Sequence, residues 1–144
     1  MKEVGYTLAL FFAQSKQQYK KELLHFDANG IKKDKHYGKN IERSILIASV
    51  ASYKLANETL GIAMPYGYLG ENLLISYNPY HLEPGKQLKI GEVVLEITQN
   101  CTLCNHLAVL DKRIPKLLKD NRGIFAKVVT EGVIKQNDPV FLLS

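Results

Sequence analysis

The chain is organised around Val93-Val-Leu-Glu-Ile-Thr-Gln-Asn-Cys-Thr-Leu-Cys-Asn-His106. Val93, Leu95 and Ile97 alternate with Val94, Glu96 and Thr98, a period of two rich in β-branched residues, which predicts a strand with one buried face. Asn100 breaks the run, and Cys101 and Cys104, the only two cysteines of the chain, follow at a C-x-x-C spacing. A strand that delivers two thiols to the start of a loop holds soft ligands on a rigid support. Just before it, Leu88 to Ile90 is short and apolar, and Gly91-Glu92 reads as a tight turn, so these two segments are expected to pair as a hairpin.

The rest of the chain repeats this grammar of short strands and turns. Tyr6 to Ala13 reads as a buried strand, residues 14 to 20 as polar loop, and Glu22 to Phe26 as a strand closed by the turn cluster Asp27-Ala-Asn-Gly30. Residues 31 to 42 are charged and aperiodic and read as an exposed loop. Ile45 to Ile47 is a strand candidate. Ser49 is placed to cap a helix over Val50 to Leu60, and Gly61 to end it. Glu71 to Ser76, Ile124 to Thr130, Gly132 to Ile134 and Pro139 to Leu143 read as strands, with a short helix over Arg113 to Leu118. Many short strands, frequent Gly and Pro turns and one or two short helices predict a mainly β fold, a β-barrel or tightly curled sheet. With 144 residues and neither repeat nor linker, the expectation is a single domain over residues 1–144.

Composition narrows the function classes. An apolar fraction of 46% and a charged fraction of 23% describe a globular chain. No apolar run reaches the ~18 residues of a membrane-spanning helix, and Tyr6 to Ala13 lacks the layout of a signal peptide, so a cytoplasmic protein with no membrane association is expected. Two cysteines three residues apart suit a reducing compartment better than a disulfide framework. The net charge of +5 comes from lysine clusters such as Lys16 to Lys21 and Lys32 to Lys35. It serves solubility or an anionic ligand. No recognition helix, zinc-finger spacing or aromatic RNA motif accompanies it, so nucleic acid is not the expected partner.

Several residues carry chemistry, each with a plainer alternative. Cys104 is a candidate thiolate for metal or sulfur chemistry, or a buried structural cysteine. Cys101 is a supporting thiol, a core residue or half of a disulfide. The pair also forms half of a zinc site, which would need His106, His36 or His81 to complete it. A thioredoxin-like pair would require a βαβ setting that the sequence does not present. Asp34 and His36 form a possible acid/base pair at i, i+2, or two solvated or turn-forming loop residues. Asn72 caps a turn or reads a ligand's amide edge. Arg43 and Arg122 bind a phosphate bidentately or form surface ion pairs. Arg43, Arg122 and Lys112 are the cations that the fold could bring near the thiols to raise the thiolate fraction. His25 and His81 read as ordinary surface residues.

These pieces occur in an order that resembles the MOSC domain, the module named after the C-terminal part of molybdenum cofactor sulfurase. Gly30-Ile-Lys-Lys-Asp-Lys-His36 resembles the early Gly/Asp/His loop of that family, Arg43-Ser-Ile-Leu-Ile47 its Arg-led strand, and Gly70-Glu-Asn-Leu73 its Gly-Glu-Asn turn. Pro84 to Gly91 resembles its hairpin, Cys101-Thr-Leu-Cys104 its cysteine loop, and Arg122-Gly123 with Asn137-Asp-Pro-Val140 its closing strands. The series spans roughly four fifths of the chain, and the ordered set is more specific than any single piece. Lys33 stands where the family usually carries a second glycine, so the loop is expected to be reshaped there.

The resemblance implies a β-barrel that binds the molybdenum cofactor (molybdopterin) or carries sulfur on a reactive cysteine. Cys104 falls at the position of the metal-binding and catalytic thiolate. Arg43, Ser44, Asn72, Thr102 and Arg122 fall near positions that contact the pterin or its phosphate. It further implies reduction of N-hydroxylated compounds with an external electron-donor protein. The alternative it leaves open is a non-catalytic protein that receives sulfur or cofactor from a donor and delivers it. Arg43, Asn72, Cys104 and Arg122 should then converge on one cleft.

Overall fold

A computed structural model describes residues 1–102 and 107–143 of the chain. Among the described residues, ten strands and three short helices follow one another as β1 (Lys2–Gln14), β2 (Gln17–Lys21), β3 (Leu23–Phe26), β4 (Ile45–Ser49), α1 (Val50–Leu60), β5 (Leu73–Ile75), β6 (Gln87–Ile90), β7 (Val93–Asn100), α2 (Leu107–Leu110), α3 (Ile114–Leu117), β8 (Ile124–Thr130), β9 (Gly132–Lys135) and β10 (Pro139–Leu142). Seven of the strands close a barrel in the order β1-β10-β6-β7-β8-β4-β5 and back to β1. Six of the seven contacts are antiparallel; β4 and β5 pair in parallel, with α1 in the connection between them.

The expected hairpin is present: Leu88 faces Leu95 and Ile90 faces Val93 across Gly91-Glu92. Gly91 has φ 57° and Glu92 does not leave the negative-φ region, the pattern of a hairpin turn with glycine at its first position. A Cβ on Gly91 would lie 2.5 Å from Asp138 Oδ2 and 2.8 Å from the Val133 carbonyl, so close approach as well as φ demands glycine there.

Closure depends on β1, which is long enough to meet three partners. Lys2–Tyr6 pairs with β10, Thr7–Leu10 with β5, and Leu10–Gln14 with β2. Its run Ala9-Leu-Phe-Phe12 is apolar without alternation because both faces are covered. Leu10 and Phe12 join Ile45, Ile47, Leu73, Ile75, Leu88, Ile90, Leu95 and Ile97 inside the barrel. Ala9 and Phe11 join Ala48, Tyr53, Ala56, Leu74, Leu107, Ile114 and Leu118 in a second apolar cluster outside it, under the helices.

Helix α1 starts and stops where its sequence says. Ser49 accepts a hydrogen bond from the Ala51 N–H at the N-cap, and Gly61 ends the helix with φ 68°. Three segments differ from expectation. Residues 14 to 20, read as loop, hold most of β2, a polar edge strand whose Gln and Lys residues carry no burial alternation. Residues 31 to 42, read as an exposed loop, bury Ile31 and Asp34 and end in a single 3-10 turn over Ile41–Arg43. Helix α2 was not anticipated, and it follows directly on the segment 103–106. The loop needs no left-handed residue at Lys33, whose φ is not positive, so lysine replaces the usual glycine there without backbone strain.

Candidate functional site

Asp34 organises one end of the barrel. Its carboxylate accepts from the buried Ala13 N–H (2.7 Å) and the Asn72 side-chain amide (3.2 Å) through Oδ1, and from the His36 N–H (3.0 Å) and His36 Nδ1 (2.9 Å) through Oδ2. Burial pushes this carboxyl up, but the hydrogen bonds from His36 and from the Ala13 amide outweigh it and hold the pKa below the ordinary aspartate value. The side chain of His36 is about half exposed and that of Asp34 is buried. A buried carboxylate on Nδ1 fixes the ring and leaves Nε2 as its remaining polar atom. Asp34 is turn-forming, accepting the His36 N–H two residues on, but it is not solvated, because the loop folds inward against β1.

Asn72 ties that loop to the barrel. Its side-chain oxygen accepts from the Leu46 N–H (2.9 Å), and its amide donates to the Phe11 carbonyl (3.2 Å) and to Asp34. Three of the four hydrogen bonds its side chain can make go to protein groups. Ser44 is buried too, and its hydroxyl donates to the Ile41 carbonyl at 2.8 Å, closing the 3-10 turn. Both residues shape the site.

Beside Asn72, Glu71 is fully buried. Its Oε2 accepts from the Tyr53 hydroxyl (2.5 Å) and the Gly67 N–H (3.2 Å), and the Tyr53 oxygen accepts from the Gly67 N–H at 3.1 Å. Burial raises the carboxyl's pKa, opposed by the Tyr53 bond and by the positive charge of Arg122. Burial and the adjacent carboxylate raise the pKa of Tyr53, which stays a phenol and a donor. This pair pins the Gly67–Gly70 turn, which forms one wall of a cleft.

That cleft has a volume of about 700 Å³. Lys16 and Gln18 from the β1–β2 turn and β2, Lys35 and His36 from the loop, Cys101 from the end of β7, and Arg122 ahead of β8 all line it. The cations arrive from three separate parts of the chain, which concentrates positive potential in a concave site. Arg122 is buried, and Cys101 is held by its N–H donating to the Gly123 carbonyl at 2.9 Å. Arg43 lines a smaller adjoining cleft of about 200 Å³ with His36, Lys39, Asn40 and Phe125. Its guanidinium lies 4.9 Å from the centre of the Phe125 ring, a cation–π contact. His36 and Phe125 line both clefts.

Thus Arg122 and Cys101 share the large cleft, Arg43 stands next door, and Asn72 and Ser44 lie beneath as support. Thr102 is exposed. Lys112 is exposed and lines neither cleft. Cys104 and His106 lie outside the described residues. Among the described residues, no three His, Cys, Asp or Glu side chains gather as a metal site. Lys16, Lys35, Gln18 and the Tyr53–Glu71 pair were not legible in advance; their side chains converge only through long-range pairing. A third cleft, of about 590 Å³, lies away from these residues along β3.

The cleft suits a polar anionic ligand. Gln18 Oε1 and Arg43 Nε are buried without a hydrogen-bond partner among the described residues, and both belong to residues lining the two clefts. Buried polar atoms without a protein partner are uncommon and mark room for a ligand or water. Cations for a phosphate and polar groups for a heterocycle are thus in place on this scaffold.

Comparisons with known proteins agree on the architecture. The YuaD protein of Bacillus subtilis superposes with a TM-score of 0.84 at 17% identity, covering 94% of this chain and 93% of that one. YiiM of Escherichia coli gives a TM-score of 0.71 at 19% identity, covering 96% of this chain and 70% of its own. YiiM of Geobacillus stearothermophilus gives 0.69 at 16%, covering 99% and 75%. At these identities the likeness establishes the fold alone. No curated protein matches the chain in sequence. The MOSC domain pattern matches residues 32–141, most of the barrel and the loop bearing Asp34 and His36, and the chain therefore belongs to the MOSC domain family, which is associated with molybdenum-cofactor-related function.

Proposed function

We propose that the protein binds the molybdenum cofactor in the basic cleft and uses it, with an external electron donor, to reduce N-hydroxylated compounds in the cytoplasm. The observation that carries this reading is the cleft itself: Lys16, Lys35, His36 and Arg122 surround a volume of about 700 Å³, large enough for a phosphorylated heterocycle. Arg122 and the lysines would hold the phosphate, with Arg43 contributing from the adjoining cleft. The Gly67–Gly70 turn, pinned by Glu71 and Tyr53, and the Asn72–Asp34 network keep the walls in place. Thr102 would contact the ligand from the end of the cysteine loop.

Cys104 supplies the metal-binding thiolate in this reading. The chain on both sides of it lines the cleft, with Cys101 before and Val109 after. When bound, the cofactor supplies two-electron redox chemistry at its metal. The protein's own part is to fix the ligand, to supply cations in the cleft that would favour a thiolate there, and to keep His36 oriented by Asp34 so that its Nε2 would exchange a proton with a group in the cleft.

Protein isolated from a cofactor-producing host should contain molybdenum and a fluorescent pterin derivative in near-equal amounts, and both should fall on Arg122→Ala. Turnover with an added electron donor supports the oxidoreductase. A transferable persulfide on Cys104 without turnover would instead assign sulfur or cofactor delivery. Bound zinc with no pterin would overturn both.

A further inference from the structure

The cleft of about 590 Å³ along β3 lies outside the site above and is built differently. Lys21 to His25 form one side, and Ile31, Lys32 and Lys33 form the other. Strand β3 has a single strand partner, β9, with Leu23 opposite Lys135, Leu24 opposite Ile134, His25 opposite Val133 and Phe26 opposite Gly132.

The hydrogen bonds around β9 reveal which way its partner's backbone points. Val133 donates its N–H to Glu92 Oε1 (2.8 Å) and accepts from the Glu92 N–H through its carbonyl (3.3 Å). Lys135 donates its N–H to Asp138 Oδ2 (2.8 Å) and accepts from the Asp138 N–H (3.1 Å). Both residues thus turn their polar backbone groups away from β3. In an antiparallel pair the hydrogen-bonded positions alternate, so the ladder runs through Leu24 and Phe26. Leu23 and His25, opposite Lys135 and Val133, turn their N–H and C=O groups to the other edge, into the cleft. No described residue takes those four groups.

An unpaired edge beside a groove is a template for strand addition. Strand β3, Leu23–Phe26, has four residues and spans about 13 Å, enough for a short extended segment. Leu23 is 54% exposed and offers an apolar contact. Lys21, Lys32 and Lys33 rim the groove against Glu22 alone. That charge repels a second copy of the same edge and favours acidic side chains.

We infer that the edge of β3 is a docking groove for an extended acidic segment of a partner protein, which adds as a third strand to β3–β9 through the backbone of Leu23 and His25 while Lys21, Lys32 and Lys33 pair with its carboxylates. The groove and the basic cleft share one loop: Ile31–Lys33 line the first and Lys35–His36 the second. Docking does not depend on cofactor binding.

The test uses a capped nine-residue peptide of alternating Glu and Val, labelled for fluorescence anisotropy, with the full chain. Saturable binding is expected, together with slowed amide hydrogen exchange at Leu23 and His25. Methylating alternate amide nitrogens of the peptide, or replacing Glu by Lys, should weaken binding about tenfold or more. Leu23→Pro should do the same while keeping the fold, because that N–H makes no bond to β9 and an edge position tolerates proline. The charge-reversed pair Lys32→Glu, Lys33→Glu should weaken the acidic peptide and strengthen the Lys one. Absence of saturable binding to about 1 mM, indifference to amide methylation, or protection confined to residues outside β3 would overturn the proposal.

Discussion

Removing the Asp34 carboxylate breaks two buried hydrogen bonds and two part-buried ones through one side chain. In Asp34→Ala, the Ala13 N–H and the Asn72 amide lose their shared acceptor in a buried setting. A buried donor left without an acceptor costs about 1–3 kcal/mol, and more where the lost partner was charged. The contact to the half-exposed His36 ring adds little because water screens and replaces it. The two buried donors therefore set the expected loss at about 3–5 kcal/mol, or roughly 10–20 °C in Tm for a chain of this size. Asp34→Asn keeps an oxygen for one side of the site but turns an NH₂ towards donors on the other, and should lose about 1–3 kcal/mol. The carboxyl's pKa is lowered in the folded protein. The native state therefore binds fewer protons than the unfolded chain in the acid range. Its contribution is complete above the unfolded aspartate value of about 3.9 and is lost as pH falls through the folded value. Urea unfolding followed by far-UV circular dichroism at pH 7 and near pH 3 measures both effects. The gap between wild type and Asp34→Asn should be full at pH 7 and narrow in acid. A loss below 1 kcal/mol for Asp34→Ala, or a gap that does not change with pH, would refute this assignment of Asp34 as the keystone of the loop.

Three further outcomes are expected. Tyr53→Phe removes the hydroxyl donor to buried Glu71 and should cost about 2 kcal/mol; because Glu71's folded pKa is already raised and loses a lowering contact, stability present below the unfolded carboxyl value should be lost as pH rises through the folded one, so the deficit measured by urea unfolding is larger at pH 8 than at pH 4. Cys104→Ser should abolish retention of molybdenum or of a persulfide, read by metal analysis and mass spectrometry of alkylated thiols, whereas Cys101→Ser, at a buried strand end, should retain both and cost about 1 kcal/mol of stability. Gly91→Ala should lower stability by about 1–3 kcal/mol, because its Cβ meets Asp138 and the Val133 carbonyl at positive φ, and a thermal melt within 1 °C of wild type would contradict that geometry.

What the sequence alone determined was local. The alternation of Val93, Leu95 and Ile97, the Gly91-Glu92 turn, and the Ser49 and Gly61 caps each follow from interactions spanning a few residues, and each appears in place. The ordered motifs from Gly30 to Val140 carried the family and with it the barrel. Other features depend on which distant segments meet. β2 hid because an exposed edge strand of Gln and Lys has no buried face to impose a period. The loop of residues 31–42 looked solvated because charge density signals exposure, yet Asp34 turns inward where the Ala13 amide, 21 residues earlier, and Asn72, 38 residues later, supply donors. Burial of Glu71 beneath Tyr53 needed α1 laid against the barrel. The basic cleft needed β1–β2, the loop and the approach to β8 at one barrel end. Local patterning fixes backbone geometry and side-chain period; closure of the barrel, through a β1 that pairs with three strands, decides which charges are buried together and which face a cleft.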